Sequence, residues 1–80
     1  MQDHEIIERI GHLADEERRL EEAHAGDNLS AEDHDRLRRL EVTLDQLWDL
    51  LRQRRALRDA GQDPSAAHER PADTVERYQQ

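Results

Sequence analysis

The chain has 80 residues, with 20 acidic side chains against 12 basic ones and a formal charge of −8; every basic residue is Arg. Its large apolar residues are ten Leu, three Ile, two Val, Met1, Trp48 and Tyr78, enough for one small domain and no more. The composition excludes Cys-based chemistry and disulfides, lacks an apolar run long enough for a membrane span or secretory segment, and offers only isolated Gly residues in place of a phosphate-cradling loop.

A first helix is predicted over residues 3–25. Ile6, Ile10, Leu13 and Leu20 step by four, three and seven, and position 17, which would complete the stripe, holds Glu. Asp3 suits the positive end of such a helix, and Gly26 can take the left-handed conformation that stops it after Ala25. Asp27, Asn28 and Leu29 form the turn. Ser30 is a good N-cap for a second helix over 31–60, with Asp33 three residues on. Glu32, Asp33 and Asp35 lie where the helix dipole favours anions, and Arg52, Arg54, Arg55 and Arg58 lie towards the end that favours cations. Between them Leu37, Leu40, Leu44, Leu47 and Leu51 step by three, four, three and four, the 3.5-residue repeat of a seam between packed helices. Gly61 follows as the terminating residue, and Asp63-Pro64 blocks continuation.

Two helices joined by so short a turn run antiparallel. Facing residues then have a constant index sum, and Leu20 with Leu37, Leu13 with Leu44, Ile10 with Leu47 and Ile6 with Leu51 all add to 57. The same register sets Asp3 beside Arg54 and His24 beside Asp33. It also sets Glu17 against Leu40, so Glu17 is expected to swing toward Arg36 or Arg39 or to be exposed. The fold class is therefore all-α: an antiparallel, coiled-coil-like two-helix hairpin over residues 1–62 with a short helical tail over 63–80. With Leu37 at heptad position a, Trp48 falls at e and Leu50 and Leu57 fall at g, while Ile7 and Ala14 widen the first helix. So broad a stripe needs a further partner, either a second copy or the tail. In the tail, Asp63-Pro64 reads as the start of a short helix through His68, and Arg70-Pro71 breaks it. Asp73 to Glu76 has capping-box spacing that can open one or two turns carrying Val75 and Tyr78, which either dock or fray.

The stretch from Leu40 to Ala56, with Leu47-Trp48-Asp49-Leu50-Leu51-Arg52-Gln53-Arg54-Arg55 at its heart, resembles the signature segment of a family of short actinobacterial proteins catalogued as a domain of unknown function. Ala60-Gly61-Gln62-Asp63-Pro64 and the tail residues Arg70-Pro71, Val75-Glu76 and Tyr78 share the resemblance, which spans nearly the whole chain. It implies a bacterial, intracellular, cytoplasmic protein whose tail belongs to the domain. It implies no activity.

Few residues offer chemistry. Glu21 and His24 have the Glu-x-x-His spacing of carboxylate–histidine metal bundles, and His4, Glu8, His12 and Glu16 form i,i+4 pairs. Both patterns also describe a solvated helix face, so no metal site is assigned. Ser30 and Ser65 sit at expected helix caps, no catalytic set emerges, and a hairpin lacks the concave pocket of a small-molecule site. No enzyme activity, cofactor or substrate is expected.

Charge is uneven. Residues 1–35 hold 12 acids and three Arg, net −9; residues 36–60 hold seven Arg and four acids, net +3. The Arg52, Arg54, Arg55 and Arg58 patch can contact phosphates, as in RNA-binding helical-hairpin dimers, although the overall charge of −8 disfavours nucleic acid. The acidic tip with Asp27, Glu32, Asp33 and Asp35 is similar to factors that insert a coiled-coil tip into the RNA polymerase secondary channel, although the anchoring domain of those factors has no counterpart here. The favoured expectation is a protein–protein interaction module, a homodimer or a protein docked on a larger partner. Its interaction residues would be Trp48, Leu50, Leu51 and Leu57, with Tyr78 in addition.

Overall fold

The computed structural model describes residues 1–23 and 29–75, together with the backbone of 76–79. The protein is an antiparallel helical hairpin with a folded tail. The first helix, α1, spans Asp3–Ala23 and the second, α2, spans Ala31–Asp59. A single 3-10 turn follows at Pro64–Ala66, and a short helix, α3, covers Ala72–Gln79. The predicted stop at Gly26, the turn residues Asp27 and Asn28, and the pairing of His24 with Asp33 lie outside the described residues.

The ends of α2 are set by local chemistry. The Asp33 N–H donates to the Ser30 hydroxyl at 3.1 Å, which satisfies one of the orphan donors of the first turn. At the other end Gly61 has φ +73°, a backbone state that costs a residue with a Cβ but not glycine. This lets the Gln62 N–H reach the Leu57 carbonyl at 2.8 Å and the Gly61 N–H reach the Arg58 carbonyl at 3.1 Å, a Schellman closure.

The seams of α1 and α2 meet in the expected register. Ile6, Ile10, Leu44, Leu47, Leu50 and Leu51 form one buried cluster, with Leu13 and Ala67 packed against it. Asp3 lies beside Arg54, as the index rule requires. The Glu17 layer resolves differently from expectation. Glu17 is half-buried, and Arg36 pairs with Glu16 rather than with Glu17. The reason is helical phase. Glu16 and Arg36 each precede a seam position by one residue, so both lean to the same flank of the hairpin.

The tail folds back along α2. Val75 is fully buried, and Ala67 lies against the main cluster. The first tail turn is a 3-10 turn of three residues and ends before His68, with the Asp63 carboxylate accepting from the Ser65 N–H at 2.9 Å. The tail helix begins at Ala72, one residue after Pro71, so Asp73 stands inside its first turn rather than at its cap. Both α1 and α3 pack on α2, and among the described residues no contact joins the two. No helix among the described residues is long and apolar enough to cross a membrane.

Candidate functional site

Three features of α2 are candidates for function, and each follows from where a residue falls around the helix. The first is a polar stripe under the tail. Gln46, Asp49 and Gln53 recur at steps of three and four and so share a face turned away from α1. The Asp49 carboxylate is only 2% exposed. It accepts a bidentate pair from Arg70, from Nε at 2.9 Å and from Nη2 at 2.7 Å, and a third bond from Gln53 Nε2 at 2.9 Å. Gln53 also donates to the His68 carbonyl at 2.7 Å, and Gln46 donates to the Arg70 carbonyl at 3.3 Å. Burial pushes the Asp49 carboxyl upward, but the bonds from Arg70 and Gln53 and the charges of Arg70 and Arg52 outweigh it, leaving it below the ordinary carboxylate value. The stripe is a clamp for the tail backbone. Sequence reasoning passed over it, although Asp49 and Arg70 both stand in the motifs that carry the family resemblance.

The second feature lies at the open end of the hairpin. Asp3 accepts from Arg54 Nε at 2.5 Å and from Arg58 Nη2 at 2.8 Å. Hydrogen bonding from Arg54 is the main cause that holds the Asp3 carboxyl below its usual value, against a smaller opposing effect of burial. Arg54 is buried and donates in addition to the Pro64 carbonyl at 3.2 Å. Of the four Arg in the predicted basic patch, Arg54 and Arg58 are therefore committed within the chain, while Arg52 and Arg55 face solvent.

The third feature is apolar. Trp48 remains 45% exposed and Ile7 55% exposed. Each follows a buried seam residue, Leu47 and Ile6 respectively, so both lean to the flank opposite Glu16 and Arg36. The tail covers the far side of α2 and leaves this flank open. The other predicted interaction residues are distributed elsewhere: Leu50 and Leu51 are buried in the core, Leu57 is half-buried, and the Tyr78 side chain lies outside the described residues. Glu17, beside this flank, has its carboxyl pushed up by burial and then by the charges of Glu21, Glu41 and Asp45. Among the described residues no cluster of three His, Asp or Glu side chains is placed to hold a metal ion. The Glu21–His24 pair falls partly outside them, as does Asp27 of the acidic tip.

Comparison with known proteins places this geometry in a lineage. The family described as a protein of unknown function, DUF2630, matches residues 2–80. Uncharacterized protein Rv0898c of Mycobacterium tuberculosis is 49% identical over 77 residues, covering 95% of this chain and 88% of the relative. Uncharacterized protein Mb0922c of Mycobacterium bovis matches with the same identity and coverage. No solved structure matches the chain. The chain belongs to the DUF2630 family.

Proposed function

We propose, from membership of that family and from the exposed flank, that this protein is a small non-enzymatic interaction module that works inside the cell by self-association or by docking on a larger protein. The observation that carries the reading is Trp48. It sits one residue beyond the almost fully buried Leu47, yet the hairpin and the tail together leave nearly half of it in water. A large aromatic next to a second exposed apolar residue, Ile7, on a rigid helical face has the make-up of an interface anchor.

Trp48→Ala tests this. The variant should keep wild-type helicity, because the ring is only half-buried, and should lose about 2–4 kcal/mol of association energy. Sedimentation equilibrium reads self-association, and copurification at native expression reads a larger partner. Identical masses and identical copurifying bands for both proteins would refute the reading.

A further inference from the structure

We propose that the Trp48 flank of α2 is a self-complementary surface on which a second copy of this chain docks antiparallel, about a two-fold axis close to Trp48. The inference rests on the interaction-module reading and names its partner.

The argument begins with helical phase. The seam positions Leu40, Leu44, Leu47, Leu51 and Arg54 face α1. Shifting each by one residue gives Glu41, Asp45, Trp48, Arg52 and Arg55, which form a second stripe of the same 3.5-residue period along the neighbouring strip of α2. The same steps reach Arg38 at one end and Asp59 at the other. All of these side chains are exposed except Asp45, which is half-exposed. Among the described residues none of the six charged ones makes an ion pair or a side-chain hydrogen bond within the chain.

The order of charges is the second observation. Read along α2, the stripe is Arg38 positive, Glu41 and Asp45 negative, Trp48, Arg52 and Arg55 positive, and Asp59 negative. Rotation by 180° about Trp48 reverses the order, so every position meets its opposite. Arg38 comes to Asp59, Glu41 to Arg55 and Asp45 to Arg52, and each pair is formed twice. A parallel pairing would instead set acid against acid and Arg against Arg, which is unfavourable. The outer pairs lie about 15 Å from the axis at 1.5 Å per residue, so the pattern spans some six turns of helix.

The centre of the stripe supplies the apolar contact. Trp48 lies on the axis, and Ile7 leans to the same flank. Association also answers a local imbalance, since Glu17, Glu21, Glu41 and Asp45 crowd together and raise the Glu17 carboxyl. The partner's Arg52 and Arg55 bring cations to that cluster. Exposed ion pairs contribute little individually. Their role here is to fix direction and register, while the indole provides the cover that the tail does not.

Charge reversal in the full-length protein tests the geometry. E41R/D45R carries an all-basic pair of flanks around Trp48, and R52E/R55E carries an all-acidic pair. Sedimentation equilibrium should give a dimer for the wild type and a shift of each variant alone to monomer, with association weakened at least tenfold. An equimolar mixture of the two should recover a heterodimer. Circular dichroism checks that both variants are folded; if either is not, E41Q/D45N and R52Q/R55Q take their place, each should weaken the dimer alone, and mixing them should restore one of the two sets of ion pairs and so part of the association. A wild type that stays monomeric at its highest soluble concentration overturns the proposal, as does a dimer that survives both charge reversals. A monomeric wild type that loses a copurifying partner on Trp48→Ala would refute the two-fold pairing and leave the interaction-module reading standing.

Discussion

Replacing Arg70 by Ala tests how the tail is held. The change removes both guanidinium bonds to Asp49 and leaves a carboxylate that is 2% exposed, with Gln53 still donating to it. Removing one partner of a buried pair costs about 3–5 kcal/mol. The Arg70 side chain is about one third exposed, so solvent screening brings the expected loss to about 2–3 kcal/mol. That loss falls on opening of the tail, because the hairpin seam is untouched. Hydrogen exchange of the α3 amides should accelerate roughly 30- to 150-fold, at tenfold per 1.4 kcal/mol. The acid dependence should weaken as well. In the wild type the Asp49 carboxyl is depressed in the fold, so its contribution is complete above the unfolded value near ~3.9 and is lost as pH falls through the folded value. In the variant that depression shrinks, because only Gln53 and the Arg52 charge still oppose burial, so less of the tail's stability is lost as pH falls. The double variant D49L/R70M, which leaves no buried charge, should recover most of the protection. Unchanged α3 exchange in R70A, or a double variant that opens more readily than R70A, would refute the reasoning.

Two further changes probe the packing. Glu17→Leu should raise the unfolding free energy by about 1–2 kcal/mol, and with it the denaturation midpoint, since it completes the seam beside Leu40 and removes a carboxylate crowded by Glu41 and Asp45. The gain should shrink in acid, where Glu17 is neutral; a lower midpoint at neutral pH would show that the carboxylate has a structural role. Val75→Ala removes two buried carbons and should loosen the tail by about 1–2 kcal/mol in α3 exchange, with exchange of the α1 amides unchanged.

The hairpin was legible because its information is periodic. Leu37 to Leu51 and Ile6 to Leu20 carry the seam, the constant index sum carries the register, and Ser30 and Gly61 carry the ends of α2. The Asp3–Arg54 contact followed from the same arithmetic. The tail clamp was not legible, because Asp49 and Arg70 are 21 residues apart and no repeat links them. A buried acid inside a helix reads as a solvated one until its partner is located. The basic patch divides for a related reason. Charge clustering along the chain groups Arg54 with Arg55, whereas the register turns Arg54 inward to Asp3 and the fold adds the Pro64 carbonyl, while Arg55 points out. Trp48 stood out by its residue type, but its exposure depended on which face of α2 the tail would take. Leu50 shows the same dependence, since it belongs to the cluster against which Ala67 of the tail packs.

The packing of α1 and α3 on α2 makes the central helix a shared spine with two covers. The short tail helix can open while α1 stays seated, so melting of this chain need not be one cooperative event. The lone indole lies on the flank that α2 shares with Ile7 of α1, and its fluorescence therefore reports on the hairpin. Amide exchange and fluorescence should trace two different transitions in the same sample.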